Sequence, residues 1–315
     1  MATIADVARK AGVSRTAVSM CSAGVILFLV GILAAKNDIA QAHGLDKVAA
    51  LSNLCFAIPL AVFGAEHLSG AQFIQNGVPP YVPWHLFWAY FVGFALIAAS
   101  LSIATKIGVR WSALLFGIMM FLFVAMIHLP AALHTHQRIP WTIVFRECSF
   151  GGGAWVLAAS AMYASRGQAV GPLIRGTAIK TTLLTIGRTF VALALIFFAI
   201  VHFLHPTGLP GVPLEKQLAT WIPARTLIDY VTGAALLVAG IFILLNRKTR
   251  TAATWLSSWL LLMILVIYGP VLIAGLLDPS TAIKVEGINY FADTLLFTAA
   301  ILALTKATPR SDCEG

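Results

Sequence analysis

The chain has 315 residues, of which 59% are hydrophobic and 10% are charged, and its formal net charge is +9. Soluble domains carry about 25% charged residues. The composition therefore excludes an ordinary soluble domain and predicts an all-α integral membrane protein. The four cysteines are widely scattered and form no C-x-x-C pair. They predict neither a zinc site nor a disulfide framework.

The opening stretch, MATIADVARKAGVSRTAVS, differs from everything that follows it. It matches the pattern I-x-D-V-A-x-x-A-G-V-S-x-x-x-V-S and so resembles the first helix-turn-helix of the LacI family of repressors. The resemblance implies DNA binding, by a regulator tethered to the membrane. However, its recognition helix would run directly into CSAGVILFLVGILAA, which leaves no sequence for the third helix that such a head needs. We therefore expect residues 1–17 to be a LacI-like fragment that does not bind nucleic acid.

After this fragment, the hydropathy pattern predicts transmembrane helices. A window of about 19 residues finds stretches long enough to cross roughly 30 Å of hydrocarbon. The connections between them carry nearly all the charges and prolines, as expected where the backbone meets water. The nine helices are expected near residues 18–35, 48–68, 84–105, 111–133, 147–164, 187–205, 226–245, 252–275 and 286–305.

Two parts of the chain resemble each other. Residues 88–133 align with residues 228–273 without a gap, and His67 aligns with His202 one helix earlier. Matching residues in and next to this alignment stand 140 positions apart: Pro83 and Pro223, Tyr90 and Tyr230, Gly93 and Gly233, and Pro130 and Pro270. We therefore predict two tandem four-helix repeats in the same orientation, preceded by one extra N-terminal helix.

This organisation divides the chain into six segments. They are the LacI-like fragment 1–17, the extra helix and loop 18–47, the first repeat 48–165, a cytoplasmic linker 166–186, the second repeat 187–306 and a polar tail 307–315. Thirteen of the Lys and Arg residues outside the fragment fall on one side of the predicted membrane and five on the other. By the positive-inside rule the thirteen-residue side is cytoplasmic. We expect a multi-pass protein of the bacterial inner membrane.

The repeat unit resembles the DoxX family of small four-helix membrane proteins. The likeness is carried by FGAEHL, VPPYVPWHLFWAYFVGFALIAASLS, LLFGIMMFLFVAMIHLPAAL and FRECSFGGGAWVLAASAM in the first copy. It implies a four-helix membrane bundle in contact with the lipid bilayer. Because some members are subunits of quinone-linked oxidoreductases, it also implies quinone as a cofactor and a membrane or periplasmic oxidoreductase as a partner. Most members have one unit, so the tandem arrangement departs from the family pattern.

Ionisable and polar residues near the outer helix ends are the candidates for a functional site, because such groups are costly in hydrocarbon. We expect them to line a polar cavity between helices. The alternative is an internal hydrogen-bond network that fixes helix packing. The candidates are Glu66, His67, His128 and Glu147 in the first repeat, and His202, Asp229, Glu286, Asn289 and Asp293 in the second. The GGG at 151–153 predicts close helix packing, since no P-loop lysine accompanies it.

Three classes of function are compatible with these residues. The first is a quinone-associated or redox-linked membrane subunit that uses the outward-facing His/Glu cluster. The second is a small-molecule or proton carrier that uses the carboxylates of the last helix. The third is an assembly partner without chemistry of its own. A haem held by His67 and His128 is a weaker hypothesis, because no second signal supports it. The sequence assigns no catalytic residue, no metal and no substrate.

Overall fold

The computed structural model describes residues 15–164, 173–218, 220 and 222–308. These residues form helices and connecting loops, with one isolated β-bridge between Gly208 and Gln217. The predicted all-α fold is confirmed. The nine long helices of the described residues are α1 (Arg15–Gln41), α2 (Ser52–Ser69), α3 (His85–Thr105), α4 (Val109–Thr135), α5 (Arg138–Ala164), α6 (Leu173–Leu204), α7 (Arg225–Leu244), α8 (Thr249–Leu277) and α9 (Thr281–Ala307).

Each long helix matches one predicted from hydropathy, but most extend further. The helix α5 begins at Arg138 rather than near residue 147, and part of the expected linker 166–186 is already helical from Leu173. A hydropathy window finds only the apolar part of a helix. The helix itself can continue through polar turns that the window does not detect. Most of the LacI-like fragment lies outside the described residues. Its last residues belong to α1, where Ala17 is buried.

Among the described residues, seven helices are long and apolar enough to cross a membrane: α1, α3, α4, α6, α7, α8 and α9. The count becomes eight if α2 and the short segment Ala71–Gly77, which bend by 84°, form one span. The remaining helix, α5, is interrupted by Arg146, Glu147 and three glycines. The fold thus indicates a multi-pass membrane protein with seven or eight apolar spans, where hydropathy alone suggested nine.

The described residues form two compact units. The first contains α1, residues 53–107 with most of α2 and all of α3, and residues 261–296 of α8 and α9. Its core joins α1, α2 and α9 through small and aliphatic side chains: Ala17, Met20, Val62, Ala65, Ile288 and Ala292. Polar contacts join α2 to α3, since Ser100 Oγ donates to the carbonyl oxygen of Ala57 over 2.7 Å. Little of α1 is buried, as expected of a helix that faces lipid.

The second unit contains residues 42–52 and 108–260 and the end of α9 from residue 297. Within it, α5 is mostly buried and packs against α4, α6 and α9. Glycine residues allow these helices to pack closely. A Cβ atom on Gly187 of α6 would collide with the carbonyl oxygen of Gly152, and one on Gly153 would collide with the Cβ of Ala300. The prediction that the glycine triplet serves helix packing is confirmed.

Unusual backbone conformations recur at a spacing of 140 residues. Left-handed residues at 84, 106 and 108 have counterparts at 224, 246 and 248. Wide π-helical turns occur at Val124–His128 in α4 and at Ile264–Tyr268 in α8. A proline follows each turn by two residues, and proline cannot donate the usual backbone hydrogen bond. The wider turn accommodates that loss, so the aligned prolines account for the matched geometry.

Replacing Gly187 with alanine tests the glycine contact. We expect Gly187→Ala to destabilise the protein by about 1–3 kcal/mol, because the new methyl group meets backbone and the helices must separate. The measurement is the thermal unfolding temperature in detergent. Gly269→Ala is the matched control, since a Cβ there meets nothing closer than 3.6 Å. It should leave the unfolding temperature unchanged or raise it, because alanine favours a helix over glycine. Equal effects of both substitutions would contradict the packing assignment.

Candidate functional site

Glu66 and Asn289 form the first polar contact, which lies within the first unit. Asn289 Nδ2 donates a hydrogen bond of 2.9 Å to Glu66 Oε1. Both side chains are half-buried, and the other amide atom, Asn289 Oδ1, is buried without a hydrogen-bond partner. The sequence placed these two candidates in different repeats, and the structure brings them together. The contact joins the end of α2 to the first half of α9, next to the apolar core of this unit.

His67 is oriented differently from its neighbour Glu66. Its Nδ1 atom lies 2.8 Å from the carbonyl oxygen of Phe63, one turn earlier on α2, so Nδ1 carries the proton and donates. Gly93 of α3 packs against the same side chain, because a Cβ atom there would lie 3.0 Å from His67 Cβ. The ring is thus fixed on its own helix, and Nε2 is the nitrogen left for any other partner.

His128, Arg146 and Glu147 form the second polar group, in the second unit. Arg146 Nη2 donates to Glu147 Oε1 over 2.8 Å, and Glu147 is only 7% exposed. His128 stands at the end of the π-helical turn in α4, within electrostatic reach of both charges. The group contains an anion, a cation and an imidazole. An apolar cluster is built from neighbouring positions of the same two helices: Phe121, Val124, Leu129, Ala132, Trp141, Val144 and Cys148.

His202 and Asp229 form the third group, also in the second unit, and both are fully buried. His202 Nδ1 lies 3.1 Å from Asp229 Oδ1, although the N–H does not point directly at that oxygen. Two backbone amides complete the arrangement. Gly208 N donates to Asp229 Oδ2 over 3.0 Å, and Gly211 N donates to His202 Nε2 over 3.1 Å. Because Nε2 accepts a hydrogen bond, the ring proton of neutral His202 is on Nδ1, facing Asp229.

The loop between α6 and α7 is held by this pair. Its residues 207–218 fold back on themselves through backbone hydrogen bonds, and Leu209, Val212 and Leu218 are buried. Gly211 has a φ angle of +112°, a conformation that favours glycine. We call residues 205–218, held by His202 and Asp229, the loop clasp. These two candidates are thus engaged by the chain's own backbone, where the sequence suggested a cavity.

The remaining candidates lie on α9 and differ in burial. Glu286 is exposed, Asn289 is half-buried, and Asp293 is 7% exposed. The spacing i, i+3 and i+7 does place them along one side of the helix. However, the exposed Glu286 lies near the start of α9, where the helix is less covered than it is further along. Within the described residues, no group of three or more His, Cys, Asp or Glu side chains is arranged to hold a metal ion.

Comparisons of this chain with protein-family models, with curated proteins and with solved structures give no match. The function proposed below therefore rests on the residues of the chain and on the resemblance of its repeat unit. The sequence did not reveal the backbone donors Gly208 and Gly211. Gly233 follows His202 by 31 positions, whereas Gly93 follows His67 by 26, and this longer loop, rich in glycine and proline, was the signal that it differs from its counterpart.

The loop clasp can be tested by removing the Asp229 carboxylate that holds it. Asp229→Ala leaves the Gly208 N–H without an acceptor in a buried site and removes the carboxylate beside His202 Nδ1, so we expect a loss of about 1–3 kcal/mol of stability. Thermal unfolding and limited proteolysis of residues 205–218 would report it. Glu215→Ala, in the exposed part of the same loop, is the control and should change stability by less than about 0.5 kcal/mol. Wild-type stability and protease resistance in Asp229→Ala would contradict the clasp.

Proposed function

We propose that this chain is a DoxX-like protein of the bacterial inner membrane, built from two tandem four-helix repeats, and that it serves as a quinone-associated subunit of an oxidoreductase. The matched left-handed residues and π-helical turns, 140 positions apart, support the duplication. The long apolar helices support the membrane location. The excess of basic residues on one side supports an orientation in which the candidate residues lie toward the outer side.

The observation that carries the proposal is the group of His128, Arg146 and Glu147. A charged pair held among apolar side chains carries a desolvation penalty, which helix packing alone does not require. Intramembrane ionisable groups of this kind are typical of functional sites. The π-helical turn that presents His128 is a feature found frequently at such sites. These features support a functional role for the three residues.

The donors of this group fit a quinone headgroup. A bound quinone supplies a carrier of two electrons and two protons, and its two carbonyl oxygens accept hydrogen bonds. The guanidinium of Arg146 and the imidazole of His128 are donors suited to those oxygens. Glu147 holds the guanidinium of Arg146 through their ion pair, which keeps the site electrically balanced. The apolar side chains around Val124 and Val144 suit the ring and exclude water.

The proposed partner follows from the location of this group. A quinone that is reduced or oxidised exchanges electrons with a second redox centre, and we assign that centre to a membrane or periplasmic oxidoreductase. In the predicted topology, His128 and Glu147 lie in the outer halves of α4 and α5. A partner that docks from the outer side would therefore approach the proposed quinone site most directly.

Quinone binding by purified protein tests this function. We expect quinone to be extracted with wild-type protein, and expect His128→Ala and Arg146→Gln, which each remove a proposed donor, to weaken quinone binding in nanodiscs by about tenfold or more. Loss of a hydrogen bond to a charged group is worth about 1.5–3 kcal/mol, and 1.4 kcal/mol corresponds to a tenfold change. His134→Ala is the control, since His134 is exposed on the same helix as His128. Unchanged affinity in both site variants, or equal loss in the control, would refute the assignment.

A further inference from the structure

Glu66 is compensated less than Glu147 and Asp229. Glu147 has an arginine, and Asp229 has a histidine and a backbone amide. The only hydrogen-bond partner of the Glu66 carboxylate is the neutral amide of Asn289, and no cation lies within ion-pair distance of it in the described part of the chain. A mostly enclosed carboxylate with one neutral donor favours the form without charge.

Asn289 lacks a hydrogen bond to its amide oxygen. Its Nδ2 donates to Glu66, whereas its Oδ1 is buried and accepts no hydrogen bond. A buried acceptor without a donor is destabilising and calls for an explanation. Asn289 Oδ1 and Nδ2 belong to one amide group. A donor for Oδ1 therefore has to lie next to the Glu66 carboxylate that accepts from Nδ2. An ionised Glu66 offers only acceptor oxygens and cannot supply it.

We propose that Glu66 and Asn289 form a proton-binding site. A hydronium ion gives its proton to Glu66 Oε2, an O–H bond forms there, and water is left behind. The new O–H donates to Asn289 Oδ1, while Asn289 Nδ2 continues to donate to Glu66 Oε1. Acid and amide are then joined by two parallel hydrogen bonds, so one proton both removes the charge and satisfies the orphan oxygen. This site shares no residue with the proposed quinone group, so it is a second proposal, independent of the first.

The surroundings of the pair favour the neutral form. The adjacent core of the first unit, between α1, α2 and α9, is apolar. The ionisable groups on the elements of this unit near the pair are Cys21 on α1, His67 on α2, and Lys284, Glu286, Tyr290 and Asp293 on α9. None of them forms an ion pair or a hydrogen bond with Glu66. His67 Nδ1 is engaged by the carbonyl oxygen of Phe63 instead.

Infrared difference spectroscopy of the full-length protein in lipid films tests the site. Acidification should produce a C=O band of a protonated, hydrogen-bonded carboxyl group. Glu66→Gln should abolish that band, and Asn289→Leu should shift it to the higher frequency of a carboxyl without a partner. Glu147→Gln is the matched control and should retain the band. A band that persists in Glu66→Gln, or that keeps its frequency in Asn289→Leu, would overturn the proposal.

Thermal stability gives a second readout that does not depend on the band. The amide introduced by Glu66→Gln can form the same two hydrogen bonds with Asn289 that protonated Glu66 forms. We therefore expect Glu66→Gln to unfold at a higher temperature than wild type at neutral pH, with the difference shrinking as the pH falls. Replacing choline chloride by sodium chloride at constant ionic strength should change neither result. A lower unfolding temperature of Glu66→Gln at every pH, or a carboxyl band suppressed by sodium, would refute a proton site; the latter outcome would assign the two oxygens to a monovalent cation.

Discussion

A polar group enclosed in an apolar protein has to find its partner within the chain, because hydrocarbon offers no water. This constraint accounts for the all-helical backbone and for the departures from it. The π-helical turns at Val124–His128 and Ile264–Tyr268 lie where a proline removes a backbone donor. At helix ends, arginine supplies what the backbone lacks. Arg188 donates to two carbonyl oxygens in the last residues of α7, and Arg250 donates to two near the end of α9. Basic residues that report topology are thus also structural.

The same constraint distinguishes three of the candidate carboxylates. Glu147 is neutralised by Arg146 and can stay ionised in an apolar setting. Asp229 is satisfied by the loop clasp, so its role is to hold the chain's own backbone. Glu66 has one neutral donor and faces an amide oxygen that lacks a donor of its own. Three acids that look alike in the sequence therefore have three different tasks: holding a charge balance, fastening a loop and binding a proton.

Hydropathy predicted the nine long helices because each contains an apolar stretch, and seven of those described are apolar enough to cross a membrane by themselves. It did not predict where they end, as the early start of α5 at Arg138 shows, since polar turns leave no hydropathy signal. The partners of the candidate residues were harder to predict. The Glu66–Asn289 contact joins residues 223 positions apart, and no local pattern reports such a pairing. The loop clasp depends on N–H groups of Gly208 and Gly211. Any residue except proline carries that donor, so the side-chain sequence cannot mark it.

The aligned halves show how one backbone can carry unlike chemistry. Glycines 93 and 233 pack against the Cβ atoms of His67 and His202 at the same distance of 3.0 Å, so the histidine positions are alike. Their partners differ, because position 229 holds an aspartate where the aligned position 89 holds an alanine. Only the second histidine thus gains a carboxylate, and only the longer α6–α7 loop reaches back to fasten on it. Under the proposed duplication, a scaffold that keeps its glycines and prolines can change its other side chains, which allows one half to use a histidine for structure while the other keeps its ionisable groups for the proposed function.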